Sequence, residues 1–219
     1  MNKTPNIETR ADLRGRFRLM LNVQYVHRDK DGNIKLQFNE NKLGIAILRF
    51  ARRFITNPID EAGQVKKGIF NKIAAYGVRI PFLTGNWQGY RFISNLVTDA
   101  GKAGVASRIN GSGAEAAFTY IALGTGAVAA NAADTTLGAE SSASGLARAA
   151  ATVSRVTTDV ANDTARLTNA FSAGASLALT EAGVFNASSA GVLLARQVFS
   201  VVNLVSGDTY TPTWNFDVD

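Results

Sequence analysis

A chain of 219 residues is long enough to bury a hydrophobic core without disulfides or a structural metal. It contains no cysteine and one histidine, which excludes disulfides, thiolate chemistry and zinc sites built from cysteine and histidine. The net charge of +6 is unevenly divided: residues 1–108 carry 19 Lys and Arg against 8 Asp and Glu (+11), and residues 109–219 carry 4 against 9 (−5). Halves of opposite sign suit head-to-tail contact between copies or a basic face laid on an acidic partner, although a solvated basic surface explains the same numbers.

The beginning of the sequence predicts an arm followed by a β-hairpin. Residues 1–15 are polar and are predicted to form a loose N-terminal arm. Apolar and polar side chains then alternate along 16–28 and again along 33–39, which is the pattern of half-buried strands. An Asp-Gly step between them favours a tight turn. His27 lies beside this turn and is predicted to be a surface residue.

Two segments with helical periodicity come next. Apolar residues recur every three or four positions along 41–55 and along 61–76, which predicts two short amphipathic helices. Basic residues on these segments are expected to contact a partner: Arg49, Arg52, Arg53, Lys66, Lys67 and Lys72. Such faces also occur on helices that lie on membranes, but packing on a sheet is favoured because the apolar stripes are narrow. No nucleic-acid-reading motif accompanies the basic cluster, so an acidic protein surface is favoured over nucleic acid as its partner.

Residues 78–92 are rich in aromatic side chains, and Trp87 and Tyr90 are predicted to anchor a core or a subunit contact. After them, Thr98 is a suitable N-cap for a short helix that extends to about Ile109. Glycines in the first half of this helix lower its intrinsic stability, but they leave room for another backbone to approach closely.

Strands dominate the rest of the chain. They are predicted over 118–123, 149–158, 164–172, 177–180, 183–185 and 191–202, with a last strand after residue 208. Residues 127–145 have mostly small side chains and are predicted to form a long surface loop that contributes nothing to a core. In the last strand Tyr210, Trp214 and Phe216 fall on one face, and Pro212 indicates a position at the edge of a sheet.

Together these elements predict a mainly β protein. We expect an antiparallel β-sandwich, or a flattened barrel, over residues 93–219, which would be the assembly domain. A smaller α+β part over residues 16–92, with a hairpin and two short helices, would be a basic attachment region.

The sequence contains no motif that indicates an enzyme, a cofactor or a metal. Residues 111–113 and 124–126 resemble fragments of phosphate-binding loops, but neither continues to a third glycine or to Lys-Ser/Thr, so they are interpreted as loop glycines. Asp29, Asp31 and Asn33 have the alternate spacing of a calcium loop, but a hairpin turn explains them. A glycan-cleaving enzyme is an alternative for which no acid/base pair is visible. We predict no catalytic, cofactor-binding or metal-binding residues.

The sequence also predicts a protein that is neither embedded in a membrane nor exported through a signal peptide. No apolar run reaches the roughly 18 residues that a spanning helix needs. The first ten residues lack the apolar stretch of a signal peptide.

Several short motifs follow one another in the second half of the chain. N-L-V-T-D-A-G begins at Asn95, F-T-Y-I-A-L-G-T-G spans 118–126 and D-T-T-L spans 134–137. T-E-A-G-V-F (180–185), L-A-R-Q-V-F-S (194–200) and a final strand with T-W-N-F follow them. In this order and spacing the motifs resemble a module of tailed-bacteriophage virion structural proteins, over more than half of the chain.

The resemblance implies a non-catalytic virion component of the kind described as tail-fibre, tail-associated or head-decoration proteins. We favour a capsid decoration or cement protein, because the sequence has no elongated repeats or coiled-coil heptads. A tail-fibre or tail/baseplate adaptor is the alternative. A host-glycan-binding module that uses Trp87, Tyr90 and Trp214 is an alternative from another class.

The expected partners follow from this role. They are further copies of the chain, in a trimer or ring, and the major capsid or tail proteins, assembled in the bacterial host cytoplasm. Residues 41–92 are not part of the motif pattern and would supply the specific attachment. Glu181, Arg196 and Asp208 would serve turn and strand contacts.

Overall fold

The structure is a computed structural model, which describes residues 19–38, 67–68, 96–158 and 160–218. The predicted arm at 1–15, the predicted helix at 41–55 and the aromatic segment at 78–92 lie outside the described residues. Of the predicted helix at 61–76, only Lys67 and Gly68 are described.

Eleven strands and one helix form the described part of the chain. In chain order they are β1 (Leu19–Arg28), β2 (Ile34–Phe38), β3 (Leu96–Val97), α1 (Asp99–Asn110), β4 (Tyr120–Gly124), β5 (Ala149–Ala150), β6 (Thr152–Val156), β7 (Thr164–Thr168), β8 (Phe171–Ser172), β9 (Leu177–Phe185), β10 (Leu193–Leu204) and β11 (Thr209–Val218). The predicted hairpin and the predicted helix after Thr98 are confirmed. The two strands predicted over 177–180 and 183–185 form one continuous strand, β9.

The strands make two antiparallel sheets, so the prediction of a mainly β, sandwich-like body is confirmed. The first sheet has the strand order β2-β1-β11-β7-β6, with β8 also pairing with β11. The second sheet has the order β3-β10-β9-β4-β5. A cluster of buried apolar side chains draws on both sheets, with Val23 and Trp214 from the first and Ile121 and Leu179 from the second. None of the helices in the described residues is long and apolar enough to cross a membrane.

Two residues of the predicted helix over 61–76 are described. Lys67 and Gly68 are exposed and form a bend, and Gly68 has a φ of 121°. Glycine adopts this backbone conformation readily because it has no Cβ, but a helix interior does not contain it. Gly68 itself therefore does not have the backbone geometry of a helix interior.

The position of the last strand corrects a prediction from Pro212. The strand β11 lies in the centre of the first sheet, between β1 and β7, and not at an edge. The carbonyl of Pro212 accepts a hydrogen bond from the amide of Asn169. In an antiparallel strand the nitrogen and the carbonyl of one residue point to the same side, so both atoms of Pro212 face β7 and β8. At Pro212 the strand that pairs with β11 on this side changes from β7 to β8. The missing N–H of proline therefore removes no hydrogen bond between β11 and β1. A break in a neighbouring strand thus admits a proline to a central strand.

Helix α1 packs against β10 through glycine. Thr98 caps its N-terminus by accepting a hydrogen bond from the amide of Gly101 at 2.9 Å. The hydroxyl of Thr98 also donates to the carbonyl of Leu193. A Cβ on Gly101 would lie 2.3 Å from the carbonyl oxygen of Leu194, and one on Gly104 would lie 2.7 Å from the ring of Phe118. The predicted close approach of another backbone is therefore confirmed at Gly101.

Replacing Gly101 by alanine is expected to destabilise the fold by about 1–3 kcal/mol. The usual gain of about 0.5–1 kcal/mol for alanine in a helix is reversed, because the new methyl group would overlap a backbone atom of β10. Gly104→Ala is the matched control in the same helix, since the Phe118 ring can turn away. Urea unfolding of both variants checks the order, and a Gly104→Ala cost as large as that of Gly101→Ala would contradict it.

Candidate functional site

The motifs of the second half of the chain meet around one buried carboxylate. Glu181 lies on β9 and is 0% exposed. Its two oxygens accept hydrogen bonds from the backbone amides of Gly126 (2.9 Å), Gly138 (3.0 Å) and Ala139 (2.6 Å). Arg196, on the neighbouring strand β10, adds Nε at 2.8 Å and Nη2 at 2.7 Å to the same oxygen of Glu181. We call Glu181, Arg196 and Asp134 the Glu181 cluster.

The arginine of this cluster extends the contact to the tip of the loop between β4 and β5. Its Nη1 lies 2.8 Å from Oδ2 of Asp134, and its Nη2 donates to the carbonyl of Val128 at 3.1 Å. The same oxygen of Asp134 accepts from the amide of Asn131 at 2.8 Å. The loop is thus attached to the outer face of the second sheet at several points along its length.

The carboxylate of Glu181 lies so close to the backbone of this loop that some positions have room only for glycine. A Cβ on Gly124 or Gly126 would lie 2.6 or 2.4 Å from an oxygen of Glu181. A Cβ on Gly138 would lie 3.0 Å from Nη2 of Arg196. The glycines at 124 and 126 therefore let the backbone reach a carboxylate of the same chain, and their interpretation as structural glycines is confirmed.

One part of the loop prediction is wrong, because the loop does contribute to a core. Leu137 is buried in a second, smaller apolar cluster with Ala122, Phe185 and Leu193. Held down by the Glu181 cluster, the loop places this leucine on the outer face of the second sheet. A segment of small residues can therefore cover a sheet when a few of its backbone groups are bonded to it.

A second ion pair fastens the end of the same loop. Arg148 makes two hydrogen bonds with Glu140, at 2.8 and 2.7 Å, and its guanidinium lies 3.5 Å from the ring centre of Phe185. Its Nη1 also donates to the carbonyls of Ala187 and Ala190. This arginine thus joins the loop to the turn between β9 and β10.

The electrostatics of the Glu181 cluster favour the ionised form of the carboxylate. Burial raises the pKa of Glu181, but hydrogen bonds from the amides of Ala139 and Gly138 and from Arg196 outweigh burial and hold this pKa below its usual value. Both oxygens are occupied by donors of the same chain. The arrangement is suited to fixing a loop on a sheet, as a structural ion network does.

A second buried charge cluster is one that the sequence did not predict. Nε2 of His27 lies 2.7 Å from Oδ2 of Asp208, and Nζ of Lys35 lies 2.9 Å from both oxygens of Asp208. The amide of Val205 donates to the same carboxylate at 3.0 Å. We call His27, Lys35 and Asp208 the Asp208 cluster. It joins the hairpin β1–β2 to the turn between β10 and β11.

His27 corrects a prediction. It was expected at the surface, but it is 4% exposed. His27 follows Val23 and Tyr25 at alternate positions of β1, and this alternation was the available signal for an inward side chain. A histidine paired with an aspartate can act as a base in catalysis only if its ring reaches a substrate. The ring of His27 is buried and contacts Asp208, so we interpret this pair as a structural contact.

Asp208 gives the fold a defined dependence on acid. Burial raises its pKa, but hydrogen bonds from His27 and Lys35 lower it to about 2. The unfolded aspartate titrates near about 3.9, so the unfolded state takes up more protons as the pH falls from about 4 to about 2. Stability is therefore expected to decrease by about 2 kcal/mol through this window because of Asp208.

The measurement is urea unfolding at a series of pH values for the wild type and Asp208→Asn. The difference between the two curves should shrink as the pH falls, because protonation removes the charge that the variant already lacks. The exposed carboxylate of Asp31 provides the control, since Asp31→Asn should leave the shape of the curve unchanged. A constant difference between wild type and Asp208→Asn from pH 6 to pH 2 would contradict the assignment.

The remaining predicted contact residues have different outcomes. Arg49, Arg52, Arg53, Lys66, Lys72, Trp87 and Tyr90 lie outside the described residues. Lys67 is exposed in the bend at Gly68. Trp214 is 0% exposed and stacks on Phe216 with ring centres 6.2 Å apart, so its ring has no free face for a glycan or a partner.

The Asp-rich turn is explained by its own hydrogen bonds. Oδ1 of Asp29 accepts from the amides of Asp31 and Asn33 at 3.0 and 2.8 Å, which closes the β1–β2 hairpin. These contacts confirm the interpretation as a turn. In the described part of the chain, no group of three or more acidic or histidine side chains has an arrangement that could hold a metal ion.

Comparison with known proteins gave no match to a protein-family model, to a curated protein or to a solved structure.

Proposed function

We propose that this chain is a non-catalytic structural protein of a tailed-bacteriophage virion, and that it decorates or cements the capsid. The observation that carries the proposal is the convergence of the motifs on the Glu181 cluster. Gly126, Asp134, Glu181 and Arg196 come from four different motifs of the resemblance, and hydrogen bonds join them directly or through one residue. Motifs that are separate in the sequence thus specify one physical unit.

The chemistry of that unit supports a structural role. Its polar atoms bond to one another or to backbone groups of the loop, so the motif residues are used to hold the loop on the second sheet. The motif residues therefore stabilise the module itself. This is suited to a structural protein, in which the module is the scaffold. The specific attachment is then expected elsewhere in the chain.

Charge supports the choice of partner. Residues 1–108 carry the net +11 derived from their 19 basic and 8 acidic residues, and residues 109–219 carry −5 from 4 and 9. Most of the basic excess lies in residues 1–18 and 39–95, which carry 14 basic and 5 acidic residues, since β1, β2, β3 and α1 belong to the two-sheet body. Basic segments of this kind can bind an acidic protein surface such as a capsid exterior, and they can also orient copies head to tail. The compact two-sheet body favours decoration of a shell over an elongated fibre.

The test uses particles of the virus that encodes this sequence. Mass spectrometry of purified particles should detect the chain, and the purified chain should sediment with isolated heads that lack it, but not with isolated tails. Binding to tails alone would replace the capsid role by that of a tail adaptor. Absence from the particles together with binding to neither part would overturn the virion role. Turnover of capsular polysaccharide by the purified chain would overturn its non-catalytic character.

A further inference from the structure

Among the strands that the structure describes, β6 is an open edge of the first sheet. It pairs with β7 on one side and ends the strand order of that sheet. Its residues, Thr152–Val156, are β-branched or small apart from one arginine, include no proline, and are exposed except for the partly buried Val156. Val153, the most apolar residue of this exposed stretch, is 54% exposed. Natural proteins usually protect such an edge with proline, a bulge or a covering segment, because it offers free backbone groups for strand addition.

The register shows which backbone groups face outward. The backbone carbonyl of Pro212 points to β7. In an antiparallel strand the backbone groups of every second residue point to the same side. The backbone of Trp214 therefore also points to β7, where its hydrogen-bonded partner is Leu167. The residues of β7 between these bonds then point to β6, and they pair with Thr152, Ser154 and Val156. The amides and carbonyls of Val153 and Arg155 are left pointing away from β7, toward solvent.

A segment with the pattern of a matching strand lies in the N-terminal arm. Residues 7–14 read I-E-T-R-A-D-L-R, in which Ile7, Thr9, Ala11 and Leu13 alternate with charged residues. This is the period-two pattern of a strand with one apolar face. We propose that residues 7–14 of one copy add as a strand to the β6 edge of a neighbouring copy and thereby assemble the chain into an oligomer. The apolar face of the arm would then cover Val153.

The length of the connection favours a neighbouring copy over the same molecule. A strand added outside β6 would lie four strand spacings from β1, or about 19 Å. The residues from Leu13 to Leu19 reach about 20 Å when fully extended in a straight line. Residues 157–163 connect β6 to β7 across the end of the sheet where β1 begins, so the direct line is obstructed.

Strand direction gives the same answer. Within one copy, so short a connection would force the arm to run parallel to β6. Every strand pair in the described residues is antiparallel. An arm from a neighbour can approach from either end and pair antiparallel. Two β6 edges paired with each other would place two copies of Arg155 in one short ladder with no carboxylate, whereas the arm brings no further charge to the face that Val153 and Arg155 share.

Disulfide trapping tests the contact on the full-length chain, which contains no native cysteine. One preparation carries Val153→Cys, and the other carries Thr9→Cys, Ala11→Cys or Leu13→Cys. Paired residues of antiparallel strands have Cα atoms about 4.5–5.5 Å apart, within the range that a disulfide spans. Mixing under mild oxidation should give a covalent heterodimer with at least one arm position. Arg10→Cys, on the other face of the arm, and Val128→Cys, which is exposed on another loop, are the controls.

Each outcome of the trapping experiment decides the matter. A heterodimer that needs Val153→Cys and an apolar arm position supports the proposal. Disulfides between two copies of Val153→Cys, with none to the arm, would mean that two β6 edges pair and would overturn it. A third preparation carries both cysteines in one chain, and a disulfide that forms within this chain but not between the two single-cysteine preparations would place the arm on its own sheet and overturn the proposal. Cross-linking no stronger than that of the controls would leave β6 without a strand partner, which also overturns the proposal.

Self-association provides a second, independent readout on the purified chain, so failure here is distinct from failure of the virion role. Val153→Pro removes an amide that faces solvent and leaves the bonds to β7 intact, which an edge strand tolerates. We expect it to weaken self-association in analytical ultracentrifugation by about tenfold or more, with an unchanged circular dichroism spectrum. Ala11→Pro should do the same, and the two together should add little. Val153→Lys checks the result without a backbone change. Wild-type chain that is monomeric, or variants that associate like wild type, would overturn the proposal.

Discussion

Replacing Glu181 by glutamine is expected to lower the free energy of unfolding by about 3–5 kcal/mol. The amide has the shape of the carboxylate, but either orientation points its N–H₂ at donors, because both oxygens of Glu181 accept hydrogen bonds. The charge of the buried Arg196 would also lose one of its two carboxylates. Urea unfolding measures the loss. Limited proteolysis should also cleave the loop at 125–145 faster than in the wild type, because the bonds that hold it are broken.

The matched control is Glu140→Gln, the same chemical change at a residue of the loop that Glu181 holds. Glu140 pairs with Arg148 but is partly exposed, so a loss of about 1 kcal/mol or less is expected. A double variant of Glu181 and Arg196 to methionine should cost less than the sum of the two single changes, because neither member of the Glu181–Arg196 pair is left buried without the other. Equal losses for Glu181→Gln and Glu140→Gln would show that the Glu181 cluster does not hold the loop.

Replacing Trp214 by alanine is expected to cost about 3–5 kcal/mol. The indole is fully buried in the core shared by the two sheets, and it stacks on Phe216. Its removal would leave a cavity between strands that are bonded on both sides, which can collapse only in part. Val218→Ala on the same strand is the control, because Val218 is exposed and its truncation should change stability by less than about 0.5 kcal/mol. A Trp214→Ala variant as stable as that control would contradict a core position.

Trp214→Phe and Trp214→Ala together separate two explanations for a loss of binding, which are the loss of a direct contact through Trp214 and the unfolding of the protein. If a glycan or a capsid is bound by Trp214 directly, Trp214→Phe should reduce binding in a protein that is still folded. The buried position predicts that Trp214→Phe keeps any binding activity, and that Trp214→Ala loses it only in proportion to its unfolding.

Local patterns in the sequence were sufficient for the elements whose interactions are local. The β1–β2 hairpin follows from alternation and an Asp-Gly step, and α1 follows from Thr98 as a cap. Both depend on residues a few positions apart, so the sequence contains the whole cause. The mainly β class follows for the same reason, since strand after strand shows its own pattern.

Side-chain pattern does not determine which strands become neighbours. Pro212 indicated an edge because a proline lacks an N–H, but the sheet admits it at the centre where β7 gives way to β8. The burial of His27 depends on Asp208, which is 181 positions away. Strand order and long-range ion pairs are properties of the assembled sheets, and no local window contains them.

The sequence alone determined the strands, the helix cap, the turns and the set of motifs in the second half of the chain. Only the tertiary structure revealed why those motifs occur together: Glu181 requires glycine at 124 and 126, an arginine on the next strand and an aspartate in the loop. The physical reason is that a buried carboxylate must find all its donors within hydrogen-bond distance. Those donors come from parts of the chain that meet only when the second sheet has formed.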